Sequence, residues 1–233
     1  TISGPYGLYY SLIDLKANND SGAVIQKNVP LNSYPAFDAL MAVQHGNGRD
    51  WWVLFQRWDG NNGSIGNNEI SVYLVDSSGI SLSSQQNVGA SHRTNGGHLC
   101  FNSDGSKFTV VTWTNLIQVY NFDRCTGNIT LWNTIHPENT SSFVTYSFSC
   151  AFSPDNSRLY VLEFGPNTTP SELHQYDLMA SNILNSKTII YTFPNSDKRP
   201  ADIRLAPDGK IYVSAADEPL MTLLYPDTAY TMV

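Results

Sequence analysis

The amino-acid sequence predicts an all-β protein, and three observations carry that prediction. Charged residues make up only 14% of the 233 residues and aromatic residues 12%, while 16 Gly and 12 Pro supply many turns. Short apolar and aromatic runs recur along the whole chain. They are separated by Gly, Asn, Asp and Pro. Such patterns are typical of many short strands joined by turns, and a chain of this length can bury a sizeable core.

One stretch, Ser147 to Leu178, displays the repeating unit most clearly. Two short apolar runs meet at Ser153-Pro154-Asp155-Asn156, and a polar loop then leads to a third run that ends at Asp177. Proline presets the backbone for a turn, and Asp and Asn tolerate the turn conformations. The stretch therefore predicts three strands of one antiparallel sheet.

Two series of similar segments recur every roughly 50 residues, which is the period of a propeller blade with four strands. The first series consists of extended apolar runs that end in Asp14, Asp76, Asp123, Asp177 and, more weakly, Asp227. The second consists of tight turns at 46–50, 102–105, 153–156 and 206–209. The two series interleave in one constant order. The sequence therefore predicts a β-propeller of four-stranded antiparallel blades.

The repeats divide the chain into a half blade and a set of following blades. The half blade covers residues 5–35, three full blades cover 36–87, 88–140 and 141–195, and a partial blade covers 196–233. Propellers typically close with four to eight blades. We therefore predict an incomplete ring of about four to five blades, with a five-bladed ring closed by its two ends as the alternative.

In this arrangement the tight turns lie at one end of the blades and the longer connections at the other. The long segments are 58–68, 83–97, 136–145, 165–172 and 194–201. Loops on a rigid scaffold carry recognition more often than the scaffold does. The end with the long loops is therefore the predicted binding surface.

The candidate ligand-binding residues lie on these loops or beside them. They are Trp58, Asp59, Asn61, Asn67, Asn68, Arg93, His98, His136, Asn167, Asp202 and Arg204. Arg93 and His98 come near the start of a first strand, where a histidine facing the channel could act as an acid or base. Asp202 and Arg204 also fall on a first strand. The alternatives are a satisfied loop histidine and a salt-bridged channel wall.

The loop from Asp59 to Glu69 has the oxygen side chains of a calcium site. In an EF-hand the bidentate acid is the twelfth residue of the loop, and that position here is Ile70, so Glu69 misses it by one. A Gly-rich and Asn-rich connection between strands explains the loop better. We therefore expect no cofactor, with calcium at this loop as the alternative.

Two adjacent tryptophans, Trp51 and Trp52, fall on a predicted second strand. Successive side chains of a strand point to opposite faces, so at least one indole should be buried between blades. An exposed partner could stack on a sugar ring, although packing of blade against blade is favoured.

The three cysteines are Cys100, Cys125 and Cys150, an odd number that leaves at least one unpaired within the chain. A disulfide between Cys125 and Cys150 requires an oxidising compartment. The sequence has no C-x-x-C, H-E-x-x-H, G-x-S-x-G or Walker motif. It therefore predicts neither a metal site nor hydrolase or nucleotide chemistry from motifs.

The formal net charge is −7, and basic residues form no run, so nucleic acid and anionic membranes are not expected as partners. An acidic surface is also the ordinary solvated state of a protein. The sequence has no apolar run of about 18 residues, and membrane insertion is not expected. It begins without Met or a signal peptide, as if cut from a longer chain, so the missing export signal is uninformative.

Several segments carry a family likeness, among them AVQHGNGRDWWVLF, YNFDRCTGNIT, CAFSPDNSRLYVLEF and LAPDGKIYVS. They resemble the propeller domain of large secreted Bacteroidetes proteins, the gliding-motility-associated or type IX secretion cargo group, over nearly the whole chain. His45 to Trp52 and Asp123 to Gly127 are the most specific parts. The resemblance implies a secreted or cell-surface protein whose propeller precedes repeat domains and a C-terminal sorting domain. Neither the amino-terminal blades of that family nor its sorting domain is expected within this sequence.

Three functions follow as expectations. The leading one is a non-enzymatic binding or adhesion module for a glycan, a surface protein or other domains of the same protein. The second is a hydrolase, because the turn at Pro207 and the segment FDRCTG are also similar to lactonase-type and WD-repeat-like propellers. It requires acid, base and Arg side chains to converge in the channel, and the candidates are Arg93, His98, Asp202 and Arg204. The third is a structural subunit with a contiguous exposed apolar patch.

Overall fold

The structure is a computed structural model that describes residues 7–58, 66–92, 96–137, 146–164, 170–193, 200–215, 221–223 and 226–228. The described strands form five antiparallel sheets, one of two strands, three of four and one of three. The two-stranded sheet contains β1 (Tyr9–Asp14) and β2 (Ala23–Pro30). A four-residue helical turn, α1 (Ala17–Asp20), joins these two strands, and a 3-10 turn lies at Leu184–Ser186.

The larger sheets are the blades, and each is a meander of consecutive strands. Blade 1 contains β3 (Ala36–Gln44), β4 (Trp51–Arg57), β5 (Asn67–Asp76) and β6 (Gly79–His92). Blade 2 contains β7 (Gly97–Phe101), β8 (Lys107–Thr112), β9 (Ile117–Phe122) and β10 (Ile129–His136). Blade 3 contains β11 (Tyr146–Phe152), β12 (Arg158–Phe164), β13 (Glu172–Asp177) and β14 (Thr188–Thr192). Blade 4 contains β15 (Pro200–Leu205), β16 (Ile211–Ala215) and β17 (Met221–Leu223).

The first strands of successive blades contact one another, β3 with β7, β7 with β11, and β11 with β15. They are therefore the innermost strands, which line the central channel of a propeller. The ring is not closed. The predicted fold class, an all-β propeller of four-stranded antiparallel blades in an incomplete ring, is confirmed.

Blades 2 and 3 have a neighbouring blade on each side and bury side chains on both faces, and alternation along their strands divides these side chains between the two neighbours. In blade 2, Leu99 and Val110 belong to the core shared with blade 1. Their neighbours Cys100 and Val111 belong to the core shared with blade 3. The blade interfaces, rather than one central core, therefore hold the apolar side chains.

The predicted tight turns share one backbone geometry. The amide N–H groups of Gly48, Gly105, Asn156 and Gly209 each donate to the carbonyl three residues earlier, at 2.9, 3.1, 3.0 and 3.0 Å. All four residues have left-handed φ angles, 72°, 70°, 63° and 75° in the same order. Glycine adopts this region freely and asparagine is the best substitute. The Gly or Asn that recurs in these turns thus reflects one backbone geometry that is repeated in each blade.

Arg124 ties the turn end of blade 2 to blade 1. Its Nε donates to the Gln44 carbonyl at 2.9 Å, and its Nη1 donates to the Asp104 carbonyl at 2.6 Å. Its own carbonyl accepts hydrogen bonds from Trp52 Nε1 and from the Gly46 amide, both at 2.8 Å. The two segments that carry the most specific part of the sequence resemblance are therefore in direct contact.

Hydrogen bonds continue along the turn end to the later blades. The Ser103 amide donates to Asn156 Oδ1 at 3.1 Å, and Asn156 Nδ2 donates to Asp104 Oδ2 at 3.2 Å. The Asp155 amide donates to Asp227 Oδ1 at 3.0 Å. We call this row of bonded turns the turn rim.

One predicted loop is wrong in part. Residues 83–97 were expected to be a loop, but β6 continues as a strand to His92, which pairs with Asn67 of β5. The segment is rich in Ser, Gln and Asn, which suggests a loop. As the outermost strand of blade 1 it is largely exposed, so polar side chains are compatible with strand pairing.

The hairpin β1–β2 differs from the blades because its apolar side chains are largely exposed. Those more than about two-fifths exposed are Tyr9, Leu12, Ile13, Leu15, Val24 and Ile25. Its Leu31 end joins blade 1 through the Tyr73 hydroxyl, which donates to the Leu31 carbonyl at 3.1 Å. Among the described residues, no helix has the length and apolar character needed to cross a membrane.

The tryptophan pair provides a direct test of burial between blades. Trp52 is 3% exposed and Trp51 is 46% exposed, so the expectation that one indole is buried is met. Trp52→Ala should lower the free energy of unfolding by about 3–5 kcal/mol, because it removes a buried ring. Trp51→Ala, the matched control, should cost less than about 1 kcal/mol. Denaturant unfolding measures both, and equal losses would contradict this account of the interface.

Glu163 is the most buried carboxylate of a polar cluster in blade 3. Lys187 Nζ lies 2.9 and 3.0 Å from its two oxygens, His174 Nδ1 lies 3.1 Å from Oε1, and the Tyr176 hydroxyl donates to Oε1 at 3.3 Å. Burial alone would raise the pKa of Glu163. The contacts with His174 and Lys187 outweigh burial and lower this pKa from 4.5 to about 2.

This shift predicts acid sensitivity of a defined sign. A lowered folded-state pKa gives stability that is complete above pH 4.5 and is lost as the pH falls towards about 2. Glu163→Gln should therefore reduce the free energy of unfolding at neutral pH by about 3 kcal/mol. The difference between the wild type and the variant should shrink steadily below pH 4.5. Denaturant titrations across this range check it, and a difference independent of pH would count against the cluster.

Candidate functional site

The repeated turns place equivalent side chains at one level of the channel wall. The carbonyl groups that close the four tight turns belong to His45, Asn102, Ser153 and Ala206. The residue four positions before each of these lies on the innermost strand of its blade. These residues are Met41, His98, Ser149 and Asp202. The residues two positions further on are Val43, Cys100, Ala151 and Arg204. A polar group from each of several blades therefore meets in one layer.

Asp202 is the centre of the polar contacts in this layer. Ser149 Oγ donates to its Oδ1 at 2.6 Å, and Arg204 Nε donates to its Oδ2 at 2.8 Å. His98 Nε2 lies 3.8 Å from Oδ1. Burial would raise the pKa of Asp202, but the hydrogen bonds from Ser149 and Arg204 lower it. Asp202 is therefore held as a carboxylate that faces the imidazole.

Two thiols lie beside the same imidazole. Cys100 Sγ is 2.8 Å from Cys150 Sγ, and Cys150 Sγ is 3.7 Å from His98 Nδ1. Both cysteines are buried, at 4% and 1% exposure. Burial opposes ionisation of Cys100, but the hydrogen bonds from Cys150 and His98 lower its pKa. Burial and the adjacent sulfur raise the pKa of Cys150.

The expectation of a disulfide between Cys125 and Cys150 is wrong for this structure. Cys125 is exposed in the connection between β9 and β10 at the turn end, next to Gly46. Cys150 is buried in the innermost strand β11, where its sulfur neighbour is Cys100. The two cysteines occupy separate parts of the fold, the surface of the turn end and the channel wall.

The structure brings together three of the four residues that the hydrolase hypothesis requires. His98, Asp202 and Arg204 converge as described, and Arg93 lies outside the described residues. His136 belongs to the outer strand β10, and its Nδ1 contacts the Pro137 carbonyl at 2.8 Å. Asp59, Asn61 and Asn167 also lie outside the described residues.

The remaining predicted residues, Trp58, Asn67 and Asn68, lie at the loop end of blade 1. Asn67 Oδ1 accepts the Glu69 amide at 2.7 Å, and Asn68 Nδ2 donates to the Gly89 carbonyl at 2.9 Å. Trp58 is half-buried, and its amide donates to the Pro35 carbonyl at 3.1 Å. These contacts lie within blade 1 and its connections. The absence of a cofactor stays a prediction, with calcium at the Asp59 to Glu69 loop as its alternative.

The thiol pair was missed by motif reasoning because its members come from different blades. The side chain of Cys100 points from blade 2 towards blade 3. Cys150 occupies a repeat position one residue earlier than that of Cys100, so its side chain points from blade 3 towards blade 2. When the tight turn at 102–105 is aligned with the one at 153–156, the two cysteines differ in position by one residue. A one-residue shift in register changes the face on which a strand residue lies.

Ser149 is not arranged as a nucleophile. Its hydroxyl donates to Asp202 and lies 3.3 Å from the Ile203 amide, which places the carboxylate between the serine and His98. In a Ser-His-Asp triad the histidine must be the group that contacts the hydroxyl. The layer therefore offers an acid or base, a thiol and a guanidinium, and it lacks serine-hydrolase geometry.

A second feature lies at the loop end, across blades 2 and 3. Trp113 follows β8, and its ring lies 6.2 Å from that of Phe148 at an interplanar angle of 12°. Phe148 in turn lies 4.7 Å from the ring of Phe164, the last residue of β12. Trp113 is 36% exposed. We call these three rings the aromatic strip.

Comparison with known proteins is informative only at the level of structure. No family model matches the chain, and no curated protein matches it by sequence. A protein from Lactobacillus plantarum has a similar structure, with a TM-score of 0.57, 17% identity and coverage of 91% of this chain. The β-propeller domain of Myceliophteria thermophila Cps50 (Swd1) has a TM-score of 0.55, 10% identity and coverage of 92%. The fold is a β-propeller.

The match covers only part of each similar structure. This chain spans 59% of the Lactobacillus plantarum protein and 62% of the Cps50 domain. At these levels of identity the likeness shows the fold alone. The propeller part of the sequence resemblance is therefore confirmed, whereas membership of the secreted Bacteroidetes group has no support from these structures.

Proposed function

We propose that this chain is a carbohydrate-binding unit of a β-propeller, and that it binds through its loop end. The aromatic strip is the observation that carries the proposal. Three rings pack in sequence across two blades at the end where the long connections emerge, and Trp113 is 36% exposed there. Aromatic side chains combine a large apolar area with few rotatable bonds, so they bind ligands at low entropic cost.

The position of the strip supports a preformed site. Phe148 and Phe164 belong to the paired strands β11 and β12, whose backbone is fixed by the sheet. Trp113 is held by its amide, which donates to the Gly96 carbonyl at 3.0 Å, and Gly96 packs against the indole. A rigid platform on regular strands is the arrangement that binding sites favour.

The chemistry of the strip favours a neutral glycan. None of its three side chains is charged, and sugar rings present C–H faces that pack on aromatic rings. The net charge of −7 disfavours strongly anionic ligands. A cell-surface or secreted location, where glycans are abundant, rests on the sequence resemblance and is part of this proposal. A surface protein and other domains of the same protein are the competing partners.

A matched pair of tryptophan variants tests the glycan site. Trp113 is 36% exposed in the strip, and Trp132 is 37% exposed on the outer strand β10, over Lys107. Trp113→Ala should weaken binding of the best neutral glycan from an array by about tenfold or more, as expected for an interface anchor. Trp132→Ala should leave the affinity unchanged. Isothermal titration measures both affinities.

Two results would overturn the proposal. One is the absence of binding to any glycan by the folded wild-type chain. The other is an equal loss in the Trp113 and Trp132 variants, which would place the site away from the strip. Binding to a surface protein instead, with the strip required, would support the loop end but contradict the glycan.

A lactonase-like hydrolase is the second candidate, because His98, Asp202 and Arg204 converge in the channel. In this case Asp202 or His98 would act as the general base for water. The wild type should then hydrolyse small lactones, and Asp202→Asn should lower the rate by about 100-fold or more. A pH-stat assay on a lactone panel decides between the candidates. No turnover by the wild type would remove this one.

A further inference from the structure

We propose that His98 Nδ1, Cys100 Sγ and Cys150 Sγ form a binding site for Zn²⁺ in the channel wall between blades 2 and 3. Among the described residues these three ligand atoms all lie within 4.8 Å of one another. The site is independent of the aromatic strip and of the glycan proposal. It joins two blades through their innermost strands.

The backbone presents the three side chains to one point. His98 and Cys100 are two residues apart on β7, so they share the face that packs on blade 3. Cys150 projects back from β11 into the same interface. The site thus needs no loop to close over it, because its three ligands come from the innermost strands of two neighbouring blades, and each strand is paired within its own sheet.

The distances suit a tetrahedral zinc site after a small adjustment. Zinc bonds of about 2.3 Å to sulfur and 2.0–2.1 Å to nitrogen place ligand atoms about 3.5–3.8 Å apart. The contact of 3.7 Å between His98 Nδ1 and Cys150 Sγ already matches. The two sulfurs, now 2.8 Å apart, must separate by about 1 Å, which a change in side-chain torsion provides.

The surroundings supply the outer contacts that metal-bound histidines usually have. If Nδ1 binds the metal, Nε2 carries the proton, and it faces Asp202 Oδ1 at 3.8 Å. Asp202 is itself held by Ser149 and Arg204. A modest tilt of the ring would complete a carboxylate–histidine–metal chain, which fixes the tautomer and strengthens the ligand.

The charge and the environment also suit zinc. Two thiolates neutralise Zn²⁺, so the buried site would carry no net charge. Thiolates and imidazole are ligands that zinc prefers over hard cations. Val111, Ile117 and Phe152 lie in the same buried cluster as the two cysteines and separate them from bulk solvent. Three protein ligands leave a fourth position for water or another ligand.

A disulfide between Cys100 and Cys150 is the competing use of the same atoms. It would form when an oxidant such as hydrogen peroxide takes two electrons from the thiols, which lose two protons as the S–S bond forms. This reaction does not require His98. The histidine therefore discriminates between the two outcomes.

Metal titration of the reduced, chelator-treated chain tests the site. Co²⁺ is the spectroscopic probe, and one equivalent should produce thiolate-to-cobalt charge-transfer absorption that one equivalent of Zn²⁺ abolishes. His98→Ala, Cys100→Ser and Cys150→Ser should each weaken zinc binding by about 100-fold or more. Asp202→Asn should weaken it by about 10–100-fold. Cys125→Ser, the matched control with an exposed thiol, should bind zinc normally.

Several outcomes would overturn the proposal. They are no stoichiometric binding by the folded wild type, unchanged binding by His98→Ala, and strong binding of Cu⁺ without binding of Zn²⁺. Loss of two thiols and of about 2 Da in mass on mild oxidation, with no zinc bound under reducing conditions, would assign a disulfide instead. Circular dichroism verifies that each variant is folded. If a variant is unfolded, a zinc-dependent rise in the Tm of the wild type and the Cys125→Ser control decides.

Discussion

The fold depends on one constraint, which is that a blade with a neighbour on each side buries both of its faces. Val110 and Val111 are consecutive residues of β8, yet each is buried in a different interface. Strands buried on two sides become nearly continuous apolar runs, which is why the second strands of the blades stand out in the sequence. The outer strands are not subject to this constraint, so β6 can be both exposed and polar.

The same constraint produces the channel layer. Because every first strand packs against the next one, side chains at equivalent positions approach each other from successive blades. The repeated turn sets those positions at one height. Chemistry can then be assembled from residues about fifty positions apart without any conserved local motif. His98, Ser149 and Asp202 illustrate this arrangement, since each occupies the same position in its own blade.

Sequence reasoning succeeded where the physical cause is local. The turn at Asn156 is determined by its own four residues. The alternation of buried and exposed side chains around Trp52 follows from the pleat of one strand. The convergence of His98 with Asp202 was anticipated from their positions on first strands. The contact of Cys100 with Cys150 depends on which face of each strand meets the next blade. That information lies in the register between blades, which no single segment contains.

The turn rim has a consequence for how the blades can move. Hydrogen bonds join neighbouring blades at this end through Arg124, Ser103 and Asp155, so this end of the blades is held together. Any tilting of one blade against the next would pivot about that end. The ends of the blades that carry the long connections would then move apart, and the channel would widen at that end. The rim is thus a hinge line that lies at the end of the blades opposite the aromatic strip.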